Sequence, residues 1–199
     1  MSGIVAVVSV TLDGVMQGPG RADEDTRDGF EAGGWAGGFA DAVQGRVIGE
    51  HMAARERALL FGRRTYADFY GYWPEQRDNP FTDVLNKAEK FVVSRTLSEP
   101  LPWQHSTLLW GDAVTAVRQL RAARPELDLV VLGSGALLRS LMGAGMIDEY
   151  LLQIHPLVLG TGQRLFDGVD LGELRLVESV TTTTGVIIAT YRPTAEESR

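Results

Sequence analysis

Continuous apolar runs too short for helices punctuate most of the chain. Ile4 to Val10 is a β-branched run, and Ala58 to Phe61, Phe91 to Val93, Thr107 to Trp110 and Leu129 to Leu132 are shorter ones. Such runs read as strands buried on both faces. Helical patterns separate them. A short helical segment is expected near Glu50 to Arg57. Thr65 followed by Asp68 is a capping-box pattern that predicts a helix starting at Thr65. Tyr70 to Asn79 looks irregular, and Phe81 to Ala88 reads as a short helix. Asp112 can cap a helix carrying Val114, Val117 and Leu120 at spacings of three. Another helix carries Leu137, Leu138, Leu141 and Met142 and ends in a glycine turn near Gly143 to Gly145. The pattern then changes to strands alone: Glu149 to Ile154, Leu174 to Val180 and Val186 to Arg192, with a turn at Thr184-Gly185. The expected fold is α/β, a mixed and mainly parallel sheet with helices on both faces and a C-terminal antiparallel edge.

The 199 residues suit one domain, with a glycine-rich loop insertion at about 17–49 that contains Gly33-Gly34-Trp35 and Gly37-Gly38-Phe39. A functional lid and a plain surface excursion are equally open readings of that insertion. Hydrophobic residues make up 44% and charged residues 23%, enough apolar material for a sizeable core. A formal charge of -7 argues against a general nucleic-acid surface. The absence of cysteine excludes a disulfide scaffold, a cysteine-ligated zinc and a thiol nucleophile. His51, His105 and His155 lie too far apart in sequence to suggest a metal site, so none is expected. Ile4 to Val10 is too short to span a bilayer and lacks a basic leader, so it reads as a buried strand and the chain as cytoplasmic.

Three strand-to-helix junctions share a composition suited to phosphate. Gly62, Arg63, Arg64 and Thr65 follow one strand, Ser94, Arg95 and Thr96 another, and Gly133, Ser134 and Gly135 a third. Ligands of open α/β sheets bind outside the carboxyl ends of the strands. Free N–H groups at helix starts attract anions there, and arginine adds bidentate bonds to phosphate oxygens. The paired arginines and the Ser-Arg-Thr suggest a third phosphate beside a pyrophosphate, which favours NADPH over NADH. The first strand ends differently, at Asp13. A catalytic carboxylate facing substrate and a simple Asp-Gly turn are both open there. Trp35 and Phe39 could stack on a flat heterocycle in the substrate pocket or anchor their own loop. His155 reads as a hydrogen-bonded structural residue, Gly160 to Gly162 as a turn, and Arg21 and Arg27 as solvated. The P-loop, zinc-protease and nucleophile-elbow motifs are absent, and Gly133-Ser134-Gly135-Ala136-Leu137-Leu138 lacks the third glycine of the dinucleotide fingerprint.

These segments, in this order, resemble the dihydrofolate reductase-like superfamily, and within it the family of the riboflavin-biosynthesis reductase C-terminal domain. The matching pieces are Ser9 to Gly14, Leu60 to Tyr66, Lys90 to Leu97, Val131 to Gly135, and Ile147 to Tyr150 continuing through His155-Pro156, Gly160, Gly162 and Phe166. The resemblance implies a reductase that takes hydride from NADPH and acts on a pterin-like or ribosylaminopyrimidine-like substrate. Gly62, Arg63, Arg64 and Thr65 would hold the cofactor's phosphates, and Ser94, Arg95 and Thr96 its 2′-phosphate. Gly133, Ser134, Gly135, Ala136 and Leu137 would wrap the pyrophosphate and nicotinamide side, and Asp13 would face substrate. It also implies a homodimer. Dihydrofolate reductases carry Gly-Gly where this chain has Gly133-Ser134, and their substrate acid lies on the helix after the first loop. Asp23, Glu24, Asp25, Asp28 and Glu31 crowd that region here without a clean match. The zinc deaminase motifs that accompany the riboflavin enzyme are missing, which points to a stand-alone reductase. A non-catalytic nucleotide- or flavin-binding module of the same fold is the alternative.

Overall fold

The computed structural model describes residues 3–53, 57–77, 79–170 and 172–194. Eight strands form one sheet: β1 (Ile4–Thr11), β2 (Arg57–Gly62), β3 (Lys90–Ser94), β4 (Ser106–Trp110), β5 (Asp128–Leu132), β6 (Glu149–His155), β7 (Leu174–Thr181) and β8 (Ile187–Pro193). Their order is β4-β3-β2-β5-β1-β6-β8-β7. Pairing is parallel from β4 through β6 and antiparallel at β6–β8 and β8–β7. This is the mixed sheet with an antiparallel edge that the change of pattern after residue 148 predicts.

β1 sits between β5 and β6, and its unbroken apolar run follows from that position. Ile4, Ala6, Val8 and Val10 point into one core layer, and Val5 and Val7 into the other. Helices α4 (Ala113–Ala123) and α5 (Gly135–Gly143) cover the first layer with Val117, Leu120, Leu138 and Leu141. Helices α1 (Ala42–Ala53), α2 (Arg63–Tyr72) and α3 (Pro80–Lys87) cover the second with Val47, Ile48, Tyr66, Phe69 and Leu85. Each fully buried Leu, Ile or Val contributes about 1.5–3 kcal/mol, so the two layers dominate the stability. The start of β1 is pinned by carboxylates: Gly3 and Ile4 N–H groups donate to Asp128 and Asp148, each at 2.7 Å.

Two helix starts differ from the sequence expectation. Helix α1 begins at Ala42, inside the expected 17–49 insertion, because Asp41 Oδ1 accepts the amides of Val43 and Gln44. The helix ends at Ala53; of the expected segment, residues 54–56 lie outside the described residues. Helix α2 begins at Arg63 rather than Thr65. Gly62 is its N-cap, and no side chain caps it. The irregular reading of 70–79 holds only in part, since α2 runs to Tyr72 and a 3₁₀ turn covers Trp73–Glu75. Residue 78 lies outside the described residues. The expected cap at Asp112 is present, accepting from the Thr115 amide at 3.1 Å.

Among the described residues no helix is long and apolar enough to cross a membrane.

Candidate active site

A cavity of about 700 Å³ opens along the carboxyl ends of β1, β2, β5 and β6. Val7, Val8 and Ser9 of β1, Leu132 to Gly135 after β5, and Gln153 of β6 form its floor. Arg63, Arg64, Thr65 and Asp68 of α2 form one wall, with Ile48 of α1 and Phe81 of α3. Residues 16–19 and 23–27 of the first loop form the opposite wall.

Two of the three expected phosphate junctions meet here. Ser134 Oγ accepts the Gly62 N–H at 3.1 Å, tying the end of β2 to the end of β5. That bond holds the starts of α2 and α5 side by side. Gly133 and Ser134 both have left-handed backbones, φ +57 and +55. This conformation is free for glycine and costs Ser134 roughly 1–2 kcal/mol, strain retained at the junction itself. The Gly133–Ser134 peptide is trans. A Cβ on Gly135 would lie 3.0 Å from Met16 Sδ and 3.2 Å from Arg139 Nη1, so the backbone lies bare at a crowded point.

The helix caps divide by location. Asp41, Asn79 and Asp112 each cap the helix that follows them with a side-chain oxygen. The starts of α2 and α5, which face the cavity, have no side-chain cap. Their first amides are therefore available to an anion, and the helix dipoles favour one. Arg63 and Arg64 are exposed and form no ion pair with any described residue. The structure thus combines uncapped amides with two free cations at one end of a cavity.

The third junction lies on the rim. Ser94 Oγ is spent on its own turn, accepting the amides of Thr96 at 3.0 Å and Leu97 at 3.1 Å. Arg95 is exposed, with Nη2 3.3 Å from Asp112. Of this turn only Leu97 lines the cavity. Ala136 is exposed in the first turn of α5, and the Leu137 side chain is buried in the core, so neither side chain lines the cavity.

Asp13 is turned away from the cavity, contrary to its expected place beside substrate. Its carboxylate accepts from the Thr11 hydroxyl and from the amides of Leu159 at 3.2 Å and Gly160 at 2.8 Å. Arg164 Nη2 lies 3.7 Å away. The Thr11 hydroxyl, then the Gly160 and Leu159 amides, hold its carboxyl down to about 2. An acid so tightly held as its anion closes a loop and is a poor proton donor. Trp35 and Phe39 also lie outside the cavity. Their rings meet the buried His155 ring edge to face at 5.1 and 5.5 Å, and Trp35 Nε1 donates to the Gln17 carbonyl at 2.7 Å. The anchoring reading describes them. His155 is structural, with Nδ1 2.9 Å from the Gln153 carbonyl. Arg21 and Arg27 are not merely solvated. Arg21 pairs with Asp68 and lies 4.4 Å from the centre of the Tyr72 ring, and Arg27 pairs with Asp25.

Several cavity residues have no counterpart in the sequence reading. Gln17 is buried, donating to the carbonyls of Asp25 and Arg27 and accepting the Gln163 amide at 2.9 Å. Gln153 Oε1 accepts from Gln44 Nε2 at 2.6 Å. That pair joins α1 to the cavity floor and leaves the Gln153 amide donor and the Gln44 carbonyl uncommitted. Glu24 lines the first-loop wall, and burial pushes its carboxyl up against the opposing pull of the Gly20 and Arg21 amides. No local motif announces these residues: Gln44 and Gln153 are 109 positions apart. Among the described residues no three acidic or histidine side chains cluster closely enough to hold a metal ion.

Comparison with known proteins agrees with this architecture. Uncharacterized protein YyaP of Bacillus subtilis (strain 168) is 26% identical over 197 residues, covering 94% of this chain and 93% of that protein. Among solved structures, a protein of Shewanella sp. PV-4 described as belonging to riboflavin biosynthesis superposes with a TM-score of 0.67 at 18% identity, over 97% of this chain and 99% of that one. Dihydrofolate reductase from Enterococcus faecalis, solved with NADP(H) and RAB-propyl, superposes with a TM-score of 0.60 at 12% identity, over 96% of each chain. The fold is therefore dihydrofolate reductase-like. The family model described as RibD C-terminal domain matches residues 3–188, and the chain belongs to that family.

Proposed function

We propose that this chain is an NADPH-dependent reductase of a small nitrogen heterocycle, pterin-like or ribosylaminopyrimidine-like. The observation that carries the proposal is the pair of uncapped helix starts, α2 and α5, held together by Ser134 beside Arg63 and Arg64, which form no ion pair with any described residue. These residues fit a pyrophosphate: amides of Arg63, Arg64 and Thr65 on one side, Gly133 to Gly135 on the other. Arg95 on the rim suits a 2′-phosphate. The bound cofactor would supply a hydride. The protein's part is to place the acceptor beside it and keep water out, which Val7, Val8, Leu132 and Ile48 favour. Gln153, its carbonyl held by Gln44, offers an amide donor on the cavity floor to orient a heterocycle edge. Glu24, not Asp13, is the cavity acid whose carboxyl burial pushes up from its ordinary value, the direction a proton donor needs.

The experiment is a fluorescence titration of NADPH against NADH, followed by NADPH oxidation with dihydrofolate and with ribosylaminopyrimidine phosphate. Tighter NADPH binding and turnover of either substrate is the expected result. Equal or absent binding of the two nucleotides refutes the cofactor assignment. A second reading, a non-catalytic nucleotide- or flavin-binding module, is favoured by one observation: Asp13 is committed to backbone amides. NADPH binding without turnover, or a yellow purified protein, would select it.

A further inference from the structure

Trp110 is the most exposed large hydrophobic residue among those described, at 72%. It is the last residue of β4, the strand at the edge of the sheet, and its Cα pairs in register with Ser94. Its neighbour Leu109 packs into the layer under α4 and α5. Alternation along a strand therefore puts Trp110 on the other face, the face that carries α2 and Leu97. Arg95 reaches across the same corner, with Nε 3.4 Å from the Gly111 carbonyl and Nη2 3.3 Å from Asp112. An indole and a guanidinium thus stand together at the rim, next to the turn whose Leu97 lines the cavity. Two strand spacings, about 10 Å, separate the ends of β2 and β4. That is a span suited to a ribose and base extending from a phosphate held at Gly62 and Arg63.

We infer that Trp110 is the stacking platform for the adenine ring of the bound dinucleotide, with Arg95 beside it meeting the 2′-phosphate. The inference rests on the NADPH reading above and extends the site to a strand that the cavity does not reach. Beside the Arg95 guanidinium, the indole stands flat, apolar and accessible at the rim. A purine covers it without displacing any packed side chain, and stacking needs no base-specific hydrogen bond. Arg95 supplies the positive charge that a neighbouring phosphate requires.

The test is calorimetric titration of NADPH, and separately of adenosine 2′,5′-bisphosphate, into wild type, Trp110→Phe and Trp110→Ala. Stacking predicts that Trp110→Ala weakens both ligands roughly tenfold or more, while Trp110→Phe stays within about threefold. Thermal midpoints should agree among the three proteins, because the indole packs little. If wild type binds NADPH and Trp110→Ala binds it equally well, the platform is wrong and the reductase reading stands. The platform is equally wrong if Phe and Ala weaken binding to the same extent. If wild type binds neither ligand, the NADPH reading fails and the platform falls with it.

Discussion

Replacing both arginines at the start of α2, Arg63→Gln with Arg64→Gln, isolates the electrostatic half of the proposed cofactor site. Both side chains are exposed and unpaired with any described residue, so their loss breaks no internal bond. Surface changes of that kind move stability by less than about 0.5 kcal/mol. Against a phosphate the same groups matter more. A hydrogen bond to a charged partner contributes about 1.5–3 kcal/mol when sheltered. Solvent screening at this open end reduces each arginine to about 1 kcal/mol. The pair then amounts to about 2 kcal/mol, or roughly 30-fold in NADPH affinity. The effect should shrink at high salt, because it is charge on charge at an accessible site. Nicotinamide fluorescence titrations at two salt concentrations, alongside a thermal melt, measure all three quantities. A change below twofold at low salt with an unaltered melt would refute the reasoning, since the uncapped amides alone would then account for any binding.

Three further outcomes are expected. Ser134→Ala removes the acceptor of the Gly62 amide, a loss of about 1–3 kcal/mol; urea unfolding should show it, and NADPH affinity should fall as the two helix starts separate. Lys90→Met leaves the carbonyls of Asn86, Ala88 and Gln104 without the ammonium they share, and should destabilise by about 2 kcal/mol in the same assay. Burial lowers the pKa of His155, so the folded state favours its neutral ring. The stability this gives is whole above the unfolded value near 6.5 and is lost as pH falls below it. His51, lowered by burial and by Arg57, acts in the same direction. The thermal midpoint should therefore drop from pH 7.5 to 5, and His155→Gln should flatten that slope without abolishing it.

Most of the framework was legible because it depends on short-range rules. β1 could be read from its β-branched run, α4 from Asp112 and the spacing of its apolar positions, and the antiparallel edge from strands that follow one another without helices. The strand-to-helix junctions proposed for phosphate were legible as local structure for a related reason: strand end, glycine and helix start are contiguous in sequence. The start of α2 shows where such rules mislead. Thr65 and Asp68 have the right spacing for a capping box, but Gly62 already begins the helix, and Asp68 instead pairs with Arg21 across the cavity. Asp13 and the loop aromatics were undecidable for the opposite reason. Their roles depend on partners more than a hundred residues away, Leu159 and Gly160 in one case and His155 in the other. No spacing rule reports such partners.

The charges of the cavity then acquire an order that composition alone conceals. The chain is acidic overall, yet Arg63 and Arg64, which form no ion pair with any described residue, stand where the two uncapped helices converge. Carboxylates gather on the opposite loop, where Arg27 engages Asp25, while the one acid of the α2 wall, Asp68, is engaged by Arg21. A polyanion entering at the α2 end meets attraction locally and repulsion ahead. That arrangement favours one orientation of an asymmetric dinucleotide: phosphates at Arg63 and Arg64, and the uncharged ring deeper, against Val7, Val8 and Ser9. In the proposed reaction the heterocycle to be reduced would then lie between Gln153 of the floor and Glu24 of the first-loop wall, both of which line the cavity. Glu24→Gln consequently separates chemistry from cofactor binding. It should leave the NADPH dissociation constant within about twofold and lower turnover by about a hundredfold, in the range typical of a lost general acid. Equal turnover by Glu24→Gln and wild type across pH 6–8 would show that the proton comes from elsewhere.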